Sequence, residues 1–315
     1  MLSQISSLIR KGKRFFITSH IDPDGDALGS VFSLYWVLKS LGKDPHVYLK
    51  DLVPYRYDFL PKPPDMAHRL PRDTYDAVIV LDCGNIFRIG EGYEHVKAMG
   101  TILNIDHHDT NEAFGKINFV DSEASSTGEM LYRLYKSMKI DFTYNIAVNI
   151  YTAVFTDTGS LRYDNASPAA FTICKKMVET GVKPSYVSQM VYESHPKERF
   201  LLLGEVFGTL QTFDGNRIAM AYVTEEMFRK TGTTSEYTDG FSEEFRKIRG
   251  VEVSVFMRQT GEKRYKISMR SKGTVDVAQI CSRFGGGGHK NAAGCHINGD
   301  LKEVESVLKK AFNIA

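Results

Sequence analysis

The chain has 315 residues, of which 42 % are hydrophobic and 25 % are charged. This composition is typical of folded globular proteins and argues against a disordered chain. At roughly 150 residues per domain, the length predicts two domains. The formal net charge of +2 argues against a long basic track for polymeric nucleic acid, although it is compatible with a short ligand that carries phosphate.

Membrane-spanning and secretory segments are not expected. The longest apolar stretch, residues 31–38, is far shorter than the ~20 residues that a membrane span requires. The N-terminal residues lack the long apolar core and cleavage site of a secretion signal. The four cysteines form no CxxC pair, so neither a disulfide scaffold nor a zinc knuckle is expected. We therefore expect a cytoplasmic protein.

Short apolar runs alternate with helical patterns over the first two-thirds of the chain. Runs typical of buried strands stand at residues 15–18, 46–49, 77–82 and 101–106. Apolar residues with helical spacing stand at residues 27–41, 127–139, 144–155 and 168–180. This alternation predicts an α/β domain with a mostly parallel sheet and flanking helices.

The pattern changes near residue 205. A helix is predicted at 194–204, and strands follow at 217–223, 251–258 and 265–270. Further helical stretches stand near Glu225, Glu243 and Asp276 and at residues 301–312. These elements predict a smaller α+β domain. We expect a first domain at residues 1–190, a helical linker at 191–210 and a C-terminal domain at 211–315.

Acidic and histidine residues are concentrated in four segments of the first domain. The segments are HIDPDGDALGS with His20, Asp22, Asp24 and Asp26, LDCGN with Asp82, IDHHDTN with Asp106, His107 and His108, and FTDTGS with Asp157. The first three follow the ends of predicted strands. Because ligand sites of parallel α/β sheets lie beyond the carboxyl ends of the strands, we expect these segments to converge on one site.

So many carboxylates in one cleft would repel one another, and divalent cations would relieve that repulsion. Carboxylates and imidazoles suit manganese, and they suit magnesium less because it prefers oxygen ligands and water. Two ions about 3.5–4 Å apart are used for phosphoester hydrolysis, and a strand-end residue such as Asp82 is well placed to bridge them.

Each segment has a plainer explanation when it is taken alone. A DxD sequence often serves a turn or caps a helix, and Asp82 could belong to an ordinary strand-to-loop turn. A pair of adjacent histidines more often packs at the surface or in the core than it ligates a metal. The occurrence of four such segments in one domain favours a joint metal site.

The four segments resemble the motifs of the DHH phosphoesterase superfamily, which is named for Asp-His-His. The resemblance implies that His20, Asp24 and a bridging Asp82 hold one metal ion. It implies that Asp26, Asp82, His107 and Asp157 hold the second. The expected ions are Mn²⁺, with Mg²⁺ or Co²⁺ as alternatives.

The resemblance also implies a catalytic set in addition to the bridging Asp82. His108 would face the substrate phosphate or its leaving group. Asp22 and Asp106 would orient the histidines or act as minor ligands, a role that carboxylates next to metal ligands commonly take.

MRSKG (269–273) and FGGGGHKNAAG (284–294) resemble the C-terminal domain that accompanies this superfamily. A run of glycines lets backbone N–H groups approach a phosphate, and histidine and arginine can donate to its oxygens. A flexible hairpin loop is the alternative for the glycine run alone. The expected substrate-binding residues are His108, Arg270, Ser271, Gly286, Gly287, Gly288 and His289.

Within the superfamily, the chain is similar to the compact RecJ-like nanoRNase branch, which cleaves short oligoribonucleotides and often dephosphorylates 3′-phosphoadenosine 5′-phosphate (pAp). RecJ-type exonucleases carry extra nucleic-acid-binding domains, and membrane-tethered cyclic-dinucleotide phosphodiesterases carry transmembrane segments. Family II pyrophosphatases lack the GGGGH pattern. We expect a cleft between the two domains that accepts short substrates and releases 5′-mononucleotides.

Two alternatives stay open at this point. One is a phosphodiesterase that acts on cyclic di-AMP or linear dinucleotides, and the other is a non-catalytic nucleotide-binding module. The sequence does not distinguish a monomer from a homodimer, and it does not identify the preferred base.

Overall fold

The computed structural model describes residues 1–314. The chain folds into two compact units, one of which covers Met1–Ser194 while the other begins at His195. Within residues 1–314, no helix has both the length and the apolarity that crossing a bilayer requires.

The first unit is built on a sheet in which every strand pair is parallel. The strands lie in the order β2-β1-β3-β4-β5. β3 is buried along its whole length, as its unbroken apolar sequence predicts for a strand covered on both faces. The strands are β1 (Arg14–Thr18), β2 (Asp44–Val47), β3 (Ala77–Leu81), β4 (Thr101–Asp106) and β5 (Ile117–Val120).

Helices cover both faces of this sheet. Ile79 and Leu81 of β3 pack into the larger core, which also contains residues of α2, α4 and α5. Val78 and Val80 face a smaller core that includes Val96 of α3. The helices of this unit are α1 (Leu2–Lys11), α2 (Gly25–Ser40), α3 (Tyr93–Ala98), α4 (Thr127–Ser137), α5 (Tyr144–Asp157), α6 (Pro168–Glu179) and α7 (Pro184–Tyr192), with 3₁₀ turns at Tyr55–Tyr57 and Ile86–Ile89.

Helices α2 and α5 pack unusually close together at Gly29. A Cβ atom at Gly29 would collide with the backbone carbonyl oxygen of Asn149 and would lie 3.0 Å from the Cβ of Ala153. This approach brings the first turn of α2, which contains Asp26, toward the last turn of α5, which ends at Asp157.

The second unit contains a mixed sheet in the order β10-β11-β9-β8-β7-β6. Its pairs are antiparallel except for β7 with β8. One face packs against α11 and α12, and the other packs against α8 and α10. The elements are α8 (Lys197–Phe207), β6 (Gln211–Phe213), β7 (Ile218–Val223), α9 (Glu225–Thr231), a 3₁₀ turn (Ser235–Thr238), α10 (Phe241–Arg246), β8 (Val253–Gly261), β9 (Arg264–Ser271), α11 (Val277–Ser282), β10 (Gly287–His289), β11 (Ala292–Asn298) and α12 (Leu301–Ala311).

The predicted fold class is confirmed, since a parallel α/β unit precedes a shorter α+β unit. Single elements differ from prediction. The helix expected at 194–204 runs from Lys197 to Phe207, and Leu202 and Val206 are buried in the core of the second unit. The glycine run is not an unpaired loop, because Gly287–His289 form strand β10 and pair with β11.

We expect Gly29→Ala to destabilise the protein by about 1–3 kcal/mol, the usual cost of an overpacked core. The added methyl group meets the backbone of α5, which cannot yield as a flexible side chain can. Chemical denaturation of the two proteins measures the difference in the free energy of unfolding.

The matched control is Gly204→Ala in the middle of α8, where an added Cβ meets no atom within 4 Å. Alanine should stabilise that exposed helical position by about 0.5–1 kcal/mol. Equal effects of the two substitutions would contradict the close approach of α2 and α5.

Candidate metal centre

Three neighbouring strands of the first unit deliver histidine and aspartate residues to the same edge of the sheet. β1 ends at Thr18, two residues before His20, and β3 ends at Leu81, directly before Asp82. β4 ends at Asp106 and is followed by His107. Since β1, β3 and β4 are adjacent and parallel, these residues lie side by side.

Asp82 lies at the centre of this group, and its two carboxylate oxygens face different partners. Oδ2 is 3.5 Å from Nε2 of His20, whereas Oδ1 is 3.6 Å from Nε2 of His107. The hydroxyl of Thr127 donates to Oδ1 at 3.2 Å. The two oxygens of the Asp82 carboxylate therefore face two different groups of potential metal ligands, which we call the first and the second donor group.

The first donor group contains His20, Asp24 and Asp82, with one ligand atom of each residue within 4.8 Å of the others. Asp24 is the N-cap of α2, where its Oδ1 accepts the amides of Asp26 and Ala27 at 3.1 and 3.0 Å. The DPDGD sequence thus starts a helix and holds a carboxylate beside His20.

The second donor group contains His107 with three carboxylates. Its Nε2 lies 3.6 Å from Oδ2 of Asp26, 3.6 Å from Oδ1 of Asp82 and 3.5 Å from Oδ2 of Asp157. Ligand atoms of Asp26, Asp82 and His107 also lie within 4.8 Å of one another.

The start of helix α4 holds Asp26 in place. The backbone amides of Thr127 and Gly128 donate to its two oxygens at 2.7 and 2.9 Å, and the hydroxyl of Ser30 donates at 3.1 Å. Amides in the first turn of a helix have no partner within the helix, and the helix dipole favours negative charge there. These hydrogen bonds therefore compensate the burial of the Asp26 carboxylate and fix its orientation.

The tautomers of the two histidines follow from their other ring nitrogen. Nδ1 of His20 lies 2.7 Å from the carbonyl oxygen of Ile21, and Nδ1 of His107 lies 3.2 Å from that of Ala124. A carbonyl only accepts hydrogen bonds, so Nδ1 carries the proton in both rings. In the neutral rings, a lone pair on Nε2 faces the carboxylates, as in metal-ligating histidines.

The charges of this group conflict in the absence of a cation. Burial, followed by the charge of Asp82, raises the pKa of Asp26 well above its usual value. Burial also opposes ionisation of Asp82, but the hydrogen bond to His20 and the positive charges of His108, His20 and His107 outweigh it and lower the pKa of Asp82. The pKa values of two neighbouring carboxylates, 1 % and 2 % exposed, are thus shifted in opposite directions.

The donor set fits divalent cations. Ligand atoms about 2.0–2.2 Å from one ion lie about 3–3.5 Å from each other, close to the separations around Asp82. A cation in each group would meet the Nε2 lone pair and the carboxylates together and would remove their repulsion. His20, Asp24 and Asp82 would hold one ion, and Asp26, Asp82, His107 and Asp157 would hold the other.

His108 lies next to Asp82 and Asp106, and ligand atoms of these three residues lie within 4.8 Å of one another. Its Nδ1 lies 2.7 Å from Oδ1 of Asp106 and 3.8 Å from Oδ1 of Asp82. Burial opposes a charged ring, but the hydrogen bond and charge of Asp106, with the charge of Asp82, raise the pKa of His108 to about 9. His108 therefore holds a proton at neutral pH, and Asp106 orients its ring.

Asp22 contributes a turn at this edge. Its backbone amide donates to Oδ2 of Asp51 at 2.7 Å, and its φ angle of 52° lies in the left-handed region. Asp82 has the same φ of 52°. Aspartate tolerates this conformation better than most residues do. The role of Asp22 toward the histidines stays a prediction.

The predicted phosphate-binding residues lie on the sheet of the second unit. Arg270 of β9 is opposite Ala292 of β11, which in turn is opposite His289 of β10. Directly opposed residues point to the same face, so Arg270 and His289 flank a small alanine about two strand spacings, or ~10 Å, apart.

Sequence reasoning missed the partner of this arginine. Glu243 at the start of α10 accepts a hydrogen bond from Nε of Arg270 at 2.6 Å. Burial raises the pKa of Glu243, but the charge of Arg270 and the hydrogen bonds from Ser242 and Arg270 together outweigh burial and lower this pKa to about 2. A lone glutamate in a helix carries no sequence signal for such pairing.

The other predicted residues have roles within the fold. The hydroxyl of Ser271, which is buried, donates to the carbonyl of Val275 at 2.7 Å. A Cβ at Gly286 or Gly288 would collide with the backbone of β11, and Gly288 also has a φ of 144°. A Cβ at Gly287 would meet no atom within 4 Å, so no steric contact requires glycine at this position.

Comparison with known proteins decides the family. Residues 14–155 match the N-terminal domain of the DHH family, and residues 215–315 match the DHHA1 domain. A protein of Thermus thermophilus, named bifunctional oligoribonuclease and PAP phosphatase NrnA, is 34 % identical over 93 % of this chain and 88 % of its own length. The chain belongs to the DHH family. The predicted family is thereby confirmed.

Two further relatives cover most of this DHH-family protein. A Bacillus subtilis protein with the same name is 25 % identical over 88 % of the chain and 87 % of its own length. The crystal structure of an exopolyphosphatase-related protein from Bacteroides fragilis superposes with a TM-score of 0.90 at 28 % identity, covering 99 % of this chain and 95 % of that one.

We expect wild-type protein to bind two equivalents of Mn²⁺ and to gain thermal stability from them, because a ligand of the native state stabilises it. Asp82→Asn should bind fewer ions and gain less, since it removes the charge that both donor groups share. Isothermal titration calorimetry and melting curves on metal-depleted protein measure both quantities.

Asp109→Asn is the matched control, since Asp109 is exposed and lies next to His108 in sequence. It should bind and melt as wild type does. Two ions bound by Asp82→Asn with wild-type affinity would exclude the bridging role of Asp82.

Proposed function

We propose that this DHH-family protein is a divalent-metal-dependent phosphoesterase. It hydrolyses short oligoribonucleotides to 5′-mononucleotides and removes the 3′-phosphate of pAp. The observation that carries the proposal is the carboxylate of Asp82, whose two oxygens face two separate donor groups. The relatives from Thermus thermophilus and Bacillus subtilis, both named for these two activities, support the choice of substrates.

The two proposed substrates present the same bond to the site. In an oligoribonucleotide and in pAp, water adds to phosphorus, and the bond from phosphorus to the 3′-oxygen breaks. The 3′-oxygen leaves with a proton, so the products are a 5′-mononucleotide with a shortened oligonucleotide, or AMP with phosphate. One arrangement of residues therefore serves both reactions.

The metal ions would be Mn²⁺, since the donor set mixes imidazole nitrogen with carboxylate oxygen. Mg²⁺ and Co²⁺ are alternatives. When bound, the two ions would supply activation of a water and neutralisation of charge on the phosphate oxygens.

The protein's own residues hold the carboxylates of the site in place and supply a proton. Asp26 and Asp82 are fixed by the amides and hydroxyl at the start of α4, so they need not reorganise during reaction. His108 carries a proton at neutral pH, with Nδ1 held by Asp106. In the substrate complex, its Nε2–H would donate to a phosphate oxygen or to the leaving 3′-oxygen.

We assign the metal centre to the domain predicted at residues 1–190 and substrate binding to the domain predicted at 211–315. Arg270 and His289 would bind the end of the substrate distant from the reacting phosphate, as charge-assisted donors to a terminal phosphate. The backbone around Gly287 would approach the same group. We place the enzyme in the cytoplasm, where its four unpaired thiols would stay reduced.

The substrate is tested with a time course of product release in the presence of Mn²⁺. The panel contains pAp, a 5′-phosphorylated diribonucleotide, a long single-stranded RNA and cyclic di-AMP. We expect rapid release of mononucleotides from the diribonucleotide and of AMP from pAp, with slow cleavage of the long RNA. Preferential opening of cyclic di-AMP would overturn the proposal in favour of second-messenger turnover. Binding without turnover of any compound would indicate a non-catalytic module.

We expect Arg270→Ala to raise KM for the diribonucleotide about 10-fold to 100-fold with little change in kcat, as loss of a hydrogen bond to a charged group implies. Glu243→Gln should raise KM less, because it releases Nε of Arg270 without removing the cation. Steady-state kinetics measure both constants.

Arg264→Ala provides the control, since Arg264 is an exposed arginine at the opposite end of β9. It should leave both constants unchanged. If Arg270→Ala behaves like this control, Arg270 does not bind substrate.

A further inference from the structure

Asp106 orients His108 only if its own carboxylate is prevented from rotating. Oδ1 accepts from Nδ1 of His108 at 2.7 Å, and Oδ2 accepts from Nδ2 of Asn111 at 2.5 Å. Asp106 is fully buried, so no bulk water competes for these oxygens. The bond to Asn111 therefore decides which oxygen faces the histidine.

The orientation of Asn111 is itself completely determined. The chain turns directly after β4, and the backbone amide of Asn111 donates to the carbonyl oxygen of His108 at 3.2 Å. Besides Asp106, Nδ2 of Asn111 donates to Oδ1 of Asn104 at 2.8 Å. Its Oδ1 accepts the backbone amide of Ala113 at 2.7 Å. Both side-chain hydrogens and the carbonyl oxygen are thus engaged, and a flipped amide would place oxygen against oxygen.

Asn104 connects this chain of hydrogen bonds to the strand that carries Asp82. It is fully buried in β4, and its Nδ2 donates to the carbonyls of Val80 and Cys83 at 3.3 and 3.1 Å. Those two carbonyls flank Asp82 in sequence. The path therefore runs from the end of β3 through Asn104, Asn111 and Asp106 to the ring of His108.

We propose that Asn111 is a positioning residue for the hydrolysis, acting through Asp106 to fix the ring of His108 relative to the metal centre. Asn104 anchors it to the backbone on either side of Asp82. This inference rests on the proposed function, in which His108 donates to the reacting phosphate. Asn111 does not belong to either donor group around Asp82, so it acts on the reaction without holding a metal ion.

The test is a double-mutant cycle between positions 111 and 108, measured as kcat and KM on the 5′-phosphorylated diribonucleotide. His108→Ala should lower kcat about 10²-fold to 10⁴-fold, the usual contribution of a positioned acid. Asn111→Asp has the same shape but loses both N–H donors, and it should lower kcat about 10-fold to 100-fold with KM and Mn²⁺ affinity unchanged. In the His108→Ala background, Asn111→Asp should cause no further loss of kcat.

Two further variants separate positioning from folding. Asn111→Ser removes the amide without adding a charge, and it should give the same pattern if Asn111→Asp fails to fold. Asn118→Ser is the matched control. Asn118 lies opposite Asn104 on the neighbouring strand β5 and holds Gly115 through both side-chain atoms at 2.9 and 2.7 Å. It should lower the melting temperature without changing kcat.

The outcomes distinguish this inference from the proposed function. If wild type turns over the substrate and His108→Ala lowers kcat, but the effects of Asn111 and His108 multiply, Asn111 has a structural role only and the inference is wrong. A wild-type kcat in Asn111→Ser overturns it as well. If His108→Ala itself retains kcat, the catalytic role of His108 fails and the inference falls with it.

Discussion

The burial of two carboxylates, Asp26 and Asp82, beside one imidazole is the constraint on which the first unit depends. Negative charge at this density is unfavourable in a buried site unless cations or protons compensate it. Without metal, the compensation comes from Asp26, whose pKa burial and the charge of Asp82 raise, and from the histidines next to Asp82, which lower the pKa of Asp82. A pair of divalent cations would provide it without protons, and it would also provide the positive charge that a phosphate needs.

The architecture keeps this unfavourable group together. Parallel strands place His20, Asp82 and His107 at one edge, and the close packing of α2 on α5 brings Asp26 and Asp157 to the same place. The backbone amides of Thr127 and Gly128 at the start of α4 then hold the two oxygens of Asp26. These side chains are thereby placed by strands and helices that pack into the apolar core of the first unit.

The convergence of these residues on one edge could be predicted from the sequence because parallel strands impose a simple rule. Asp82 and His107 directly follow apolar runs, and the carboxyl ends of such strands meet at one edge. The contacts that orient these residues could not be predicted in the same way. The amides of Thr127 and Gly128 reach Asp26 across 101 and 102 residues of chain, and no local pattern encodes so distant a contact.

In the second unit too, the candidate residues could be predicted from the sequence, whereas the contacts that orient them could not. The Arg270 and GGGGH segments are visible in the sequence, but the pairing of Arg270 with Glu243 depends on how α10 packs on the sheet. The glycines at 286 and 288 have a steric reason to be glycine apart from any phosphate, because β11 passes too close for a side chain. Sequence reasoning cannot separate that reason from ligand binding, since both call for the same residue.

The central claim is that Asp82 bridges two metal ions. The most direct measurement is an anomalous difference map, collected near the manganese absorption edge from crystals grown with Mn²⁺. The account predicts two peaks about 3.5–4 Å apart, one next to His20 and the other next to His107, with a carboxylate oxygen of Asp82 at each. A single peak, or two peaks of which only one contacts Asp82, would contradict it.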